Sequence, residues 1–262
     1  MTFDEYITNP MGKSNAVLSA AVREAQRKIY STKFNNVLLR ENGRIDYYMY
    51  KGKDGSYWIH IKVPSEVVNN FYYDVVMKFT ASAGIAASAA KLDKYQVEFY
   101  SNDPAFVYTY AYVFLRKGLF IKELASKMSK KALRTPAKEK NPENSVGYVK
   151  SLYFAYLFMV NRDLFSKIKY VGAPDLDKRT LLSRIEDADI KVQKRQDEGE
   201  KISKKKQDTL SKSDYNKLKA SGASDESLSG VKVATTKKVG VVKNTALNRS
   251  KTSNRTKSVK RF

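Results

Sequence analysis

Asp46, His60 and Lys62 are the side chains whose types and spacing come closest to a catalytic constellation in this sequence. The runs 45–50 and 57–63 are rich in aromatic and β-branched residues, and Asp54-Gly55 between them is a turn pair. A hairpin built from these runs sets Asp46 on one strand, with His60 and Lys62, two positions apart, on a single face of the next. Two carboxylates and a lysine on such a hairpin would hold a divalent cation and activate water for phosphodiester cleavage. Here histidine stands where the second carboxylate belongs, so the ligand set is one short. Strand alternation accounts for "WIHIK" without chemistry.

Two further patterns reach less far. Gly12-Lys13-Ser14 matches the end of a phosphate-cradling loop, which requires a glycine five positions before Gly12 and a strand feeding into it. Ile7 occupies that position and too few residues precede it, so the stretch reads as a loop leading to Ser14 as a helix N-cap. Glu186, Asp187 and Asp189 gather three carboxylates, but a calcium loop needs oxygens at fixed spacing around a central glycine, and none follows. They read as the solvated face of a helix. With no cysteine and one histidine, disulfide frameworks, thiolate metal sites and multi-histidine centres are excluded. The residues ask for no metal or organic cofactor.

Positive charge is what the sequence offers in quantity. In 262 residues, 49 Lys and Arg against 27 Asp and Glu give a net +22 and a pI near 9.8, a balance that predicts attraction to polyanions. Residues 201–262 carry 17 basic and 4 acidic side chains, a net +13, so the end of the chain holds more than half of the excess. The candidate nucleic-acid-binding residues are Lys232, Lys237, Lys238, Lys243, Arg249, Lys251, Arg255, Lys257, Lys260 and Arg261, ten cations with no carboxylate among them. In an extended chain, at up to ~3.5 Å per residue, most of them fall ~7–20 Å apart. That spacing follows a phosphate backbone without reading bases, and the interleaved Ser, Thr and Asn add hydrogen bonds to phosphate oxygens. Contact with DNA or RNA is therefore expected to be non-specific and steeply salt-dependent.

The frame for these side chains is expected to be α+β, an antiparallel β-meander packed with several helices, followed by a charged helix and an extended basic C-terminal arm. Val17, Ala21, Val22, Ala25 and Ile29 recur at helical spacing after Ser14. The runs 37–40, 45–50 and 57–63 predict three meander strands, with Asn42-Gly43 and Asp54-Gly55 as their turns. Val67, Phe71, Val75 and Phe79 fit a helix stripe and Val75, Met77 and Phe79 equally a strand face, with β-branched density favouring strand at the end. A strand expected over 95–100 could pair with 74–79. Asp103-Pro104 opens a helix that Gly118 closes, a second helix follows over 119–133, and a core helix starts at Ser145 after a Pro-rich linker. The aromatic run "FVYTYAYVF" reads as core or subunit interface rather than as a base-stacking platform. The body is expected to span 1–173, a solvated helical connector 174–206, and a low-complexity arm 207–262. The uncharged stretches 79–90 and 104–115 fall short of the roughly 18 residues of a membrane span. The first ten residues lack a signal pattern, so a soluble intracellular product is expected.

Absence of cysteine, heavy use of Lys, Asn and Tyr, an α+β body and a long basic arm together resemble a structural protein of a tailed-bacteriophage particle. The segments "IHIKVPSEVVNNFYYDVVMKF" and "VEFYSNDPAFVYTYAYVF" share the style of such proteins. The resemblance implies a non-enzymatic assembly component, connector, tail or capsid-associated, located in the virion and assembled in the host cytoplasm. Its partners would be copies of itself in a homo-oligomer and neighbouring subunits, with the arm extending along a neighbour or toward packaged nucleic acid. The alternative class is a nucleic-acid-binding or processing protein. Its members would be an RNA- or ribosome-associated factor, or a degenerate restriction-type nuclease with Asp46, His60 and Lys62 as its site.

Overall fold

Strands form where apolar and polar residues alternate. In the computed structural model, β1 (Tyr47–Lys51), β2 (Tyr57–Pro64), β3 (Tyr72–Thr80) and β4 (Gln96–Ser101) make one antiparallel sheet in chain order. The structure describes residues 1–8, 20–81, 91–142, 144–207, 209–210 and 232–233, without the side chains of 20–23 and of those beyond 201. The fold is α+β. The β1–β2 turn is the expected one: Gly55 takes φ +77, and Asp54 Oδ1 accepts from the Ser56 amide at 3.1 Å. The expected 74–79 and 95–100 pairing is also present, with Val75 opposite Ser101 and Phe79 opposite Val97.

Register divides the sheet into two unlike faces. One presents Ile59, Ile61, Val75, Met77, Phe79, Val97 and Phe99, all buried, to the main core. Helices α1 (Phe3–Thr8), α2 (Ala20–Arg40), α3 (Ala111–Arg116) and α5 (Lys150–Asn161) supply the rings that meet it. Phe3 lies 5.8 Å from Phe79 and 5.9 Å from Phe99, Tyr6 lies 4.7 Å from Phe99, and Phe34 meets Phe154 at 5.6 Å. The other face carries Tyr48, Tyr50, His60, Lys62, Asp74 and Lys78. It is covered by the 3₁₀ turn Lys122–Lys127 and by α6 (Lys178–Arg184) with its continuation into α7 (Ala188–Gln207). A sheet covered on both sides needs hydrogen-bond partners on its polar face, and that requirement shapes the site described below.

Helix ends explain where the sequence reading departs from the structure. Residues 37–40 are the last turn of α2, not a strand. Asn42 (φ +52) and Gly43 close that helix: the Gly43 amide donates to the Leu38 carbonyl at 2.8 Å and the Asn42 amide to that of Leu39 at 3.1 Å. This crossed pair of bonds is the left-handed helix stop, and Asn-Gly suits it as well as it suits a hairpin. Gly118 (φ +69) ends α3 in the same way, with Leu119 donating to Phe114 at 2.7 Å, as the sequence predicts.

Residues 119–133 are not one helix. Leu119–Ile121 runs beside β4, bonded to both sides of Phe99, before the 3₁₀ turn and α4 (Lys130–Arg134). The expected start at Ser145 moves to Lys150, because 145–149 take no regular structure and are tied to α1 through Tyr6 and Tyr148. The expected Ser14 cap lies outside the described residues. In place of one solvated helix over 174–206, α6 and α7 bury Leu181, Ile185, Ala188 and Val192 in the main core. The compact unit is Met1–Ile202, and Ser203–Phe262 is a second unit, of which β5 (Thr209–Leu210) and β6 (Lys232–Val233) pair in parallel. Among the described residues no helix is long and apolar enough to cross a membrane.

Candidate functional site

His60 and Lys62 do meet a carboxylate, but it is not Asp46. Lys62 stands opposite Asp74 of β3, and His60 lies two positions along on the same face. Asp74 is fully buried. Its Oδ1 accepts from His60 Nε2 at 2.8 Å and from Lys62 Nζ at 2.5 Å. Its Oδ2 accepts from Asn102 Nδ2 at 2.8 Å and from the Glu186 amide at 3.1 Å. Asn102 also accepts from the Asp74 amide at 2.7 Å and donates to the Glu186 carbonyl, while Lys62 Nζ donates to the Arg184 carbonyl at 2.9 Å. Asp46 is exposed, and its carbonyl accepts from the Lys62 amide.

The electrostatics follow from this geometry. Burial alone would raise the Asp74 carboxyl, but the bonds and charges of His60 and Lys62 outweigh it and hold the group down at about 2. Burial pushes His60 below its ordinary value, against the pull of Asp74 and helped by the like charges of Lys62 and Arg184. His60 Nδ1 is buried without a hydrogen-bond partner, so a second ring proton has no acceptor. Arg184 lies 4.1 Å over the Tyr48 ring and donates to the Tyr50 hydroxyl at 2.9 Å, closing the polar face at its β1 side.

A carboxylate offers about four acceptor positions, and Asp74 has four donors. It has no lone pair left for a substrate proton or a cation. The arrangement can tie elements together: β2, β3, the end of β4 and the α6–α7 junction all bond to one side chain. Its sequence signal is a lone carboxylate in the apolar strand "YYDVVMKF", on the face that strand pairing gives to His60 and Lys62. Pairing with the third strand, rather than the first, is what places it.

The remaining candidates separate. Gly12-Lys13-Ser14 lies outside the described residues. Glu186 is held by Lys191 and Lys194, and Asp187 by Lys127 at 2.9 Å, so two of the three clustered carboxylates serve as ion-pair partners within the body. Among the described residues no three His, Asp or Glu side chains are grouped to hold a metal ion. In the aromatic run, Phe106 and Phe114 are core residues 5.1 Å apart, and Tyr108 is half exposed. A cleft of ≈ 660 Å³ opens beside β1, lined by Tyr47, Tyr48, Tyr50, Lys169, Asp175 and Arg184 among others. Of the ten arm cations, Lys232 has its backbone in β6, and Lys237, Lys238, Lys243, Arg249, Lys251, Arg255, Lys257, Lys260 and Arg261 lie outside the described residues. No family model, curated protein or solved structure matches the chain.

Proposed function

We propose that the protein is a non-enzymatic assembly component of a phage particle, whose body packs against neighbouring subunits and whose basic arm holds nucleic acid by its phosphates. The observation that carries this reading is the run of ten cations without one carboxylate over residues 232–262. Its support from the body is chemical: the only histidine bonds to a buried carboxylate that joins several elements, which is the work of a scaffold. A degenerate nuclease would use Asp46 with His60 and Lys62, whereas the side chains of both of these bond to Asp74.

The test is titration of labelled duplex DNA and single-stranded RNA from 50 to 200 mM salt. It compares the full chain with a full-length variant in which the ten arm cations are glutamine. Each phosphate neutralised on B-DNA contributes about 0.9 to the slope of log Kobs against log salt. The variant is expected to lose up to about nine units of slope, with DNA and RNA affected alike. An unchanged slope would show that the arm holds protein, and co-sedimentation with acidic subunits would then replace the nucleic acid in the assay. Metal-dependent cleavage that Asp46→Ala abolishes would overturn the non-enzymatic reading.

A further inference from the structure

We infer that the body has a polyanion contact of its own, a lysine-rich surface formed by residues 116–140 that lies against a nucleic-acid phosphate backbone. This 25-residue stretch holds nine basic and two acidic side chains, a net +7, whereas residues 1–200 together hold +9. The fold turns that sequence bias into surface. Arg116 and Lys117 end α3, Lys122 opens the 3₁₀ turn, and Lys130, Lys131 and Arg134 share one side of α4, which packs on α3 through its half-buried Ala132 and Leu133. Lys138 and Lys140 follow in a turn anchored by Asn141, whose Nδ2 donates to the Thr109 carbonyl just before α3 and to that of Ser145.

These eight cations are all exposed, and one of them, Lys122, favours the charge of Glu98 across the fold. The ninth, Lys127, is half-buried and paired with Asp187. Of the two carboxylates, Glu123 is taken by Lys78 at 2.8 Å, which leaves Glu139 as the one exposed acid of the stretch. Clustered charge of one sign raises the local concentration of a partner of the opposite sign.

The composition of the surface chooses the partner. Protein interfaces have a core enriched in aromatic residues and depleted in lysine. Here six of the eight exposed cations are lysine, and none of the large exposed apolar residues falls between 116 and 140. Exposed Ser126 and Thr135 add the hydroxyl donors that phosphate oxygens accept. A phosphate backbone fits this chemistry better than the aromatic core of a protein interface does.

This contact shares the polyanion partner of the proposed function but not the arm, and the experiment separates them. Duplex DNA is titrated from 50 to 200 mM salt with four full-length proteins: native, arm cations to glutamine, the eight surface cations to glutamine, and both sets together. If six of the eight cations engage, the arm-neutral protein weakens about a thousandfold over that range, a slope near −5.4. Neutralising both sets abolishes binding, while a control with the six surface lysines changed to arginine binds as native. Thermal melts at high salt confirm that each variant is folded. The inference is overturned if the arm-neutral protein does not bind, or if neutralising the surface leaves its slope unchanged. It is also overturned if polyglutamate displaces the DNA from the arm-neutral protein at equal charge, which would make an acidic protein the partner. Loss of binding only in the arm-neutral protein would reject this surface and leave the arm reading intact.

Discussion

Asp74 gathers bonds from β2, from the end of β4 and from the α6–α7 junction onto one side chain. Replacing it with alanine leaves His60 Nε2 and the Glu186 amide without their acceptor, while Lys62 Nζ and Asn102 Nδ2 keep the Arg184 and Glu186 carbonyls. Leaving a buried donor unsatisfied costs about 1–3 kcal/mol, and Asp74→Ala, which strands two, is expected to lose about 2–5 kcal/mol in urea denaturation. A loss under about 1 kcal/mol would mean that other groups can satisfy those donors. The same site sets the acid response. Asp74 is held at about 2 in the folded state against an ordinary 3.8, so its stabilisation is complete above pH 4 and is lost as pH falls toward 2. The shift corresponds to about 2 kcal/mol. His60 is depressed, so the unfolded chain takes up its proton first and stability also declines as pH drops below 6.5. Denaturation midpoints across pH should show both limbs. His60→Gln should flatten the one near 6.5 and leave an acid limb, reduced by the missing bond to Asp74.

Elements that alternate were legible in the sequence, and elements decided by distant partners were not. The 57–63 and 95–100 strands and the Asp54-Gly55 turn follow from β-branched alternation and from a glycine that adopts positive φ. The 37–40 run carries the same apolar signal but belongs to α2, because four residues cannot separate the two periods and Asn-Gly serves both kinds of stop. The candidate site was half visible: His60 and Lys62 were identified, and Asp74 required knowing that β3 lies on their other side. Sparse apolar residues hid the α6–α7 segment among charges, yet Leu181 and Ile185 are each 2% exposed. Ile185→Ala is accordingly expected to cost about 2–5 kcal/mol, the range for deleting a buried branched side chain. A chain ending at Ala173 also removes the Glu186 and Arg184 contacts to Asp74 and Lys62, and it should lose its cooperative thermal transition. A chain ending at Gln207 keeps those contacts and should melt with the full protein. Equal melting of both shortened chains would show that α6 and α7 add nothing to the body.

At the scale of the whole molecule the charge falls into two classes that differ in their dependence on folding. The arm's ten cations follow one another along the chain, so a polyanion meets the same succession of charges whether the body is folded or not. A ligand bound equally by both states leaves the melting temperature where it was. The surface of residues 116–140 is different, because α3, α4 and the Asn141 turn fix the arrangement of its eight exposed cations only in the folded body. A ligand that prefers the folded state, at a hundred times its Kd, stabilises by up to about 2.7 kcal/mol, or roughly 5–10 °C for a domain of this size. Duplex DNA is therefore expected to raise the Tm of the arm-neutral protein. It should leave that of the surface-neutral protein unchanged, although the latter still binds through its arm. Differential scanning fluorimetry at low salt reads both. A rise that follows the arm instead would mean that the arm belongs to the folded body, and the division of labour between tether and docking surface would then be the wrong one.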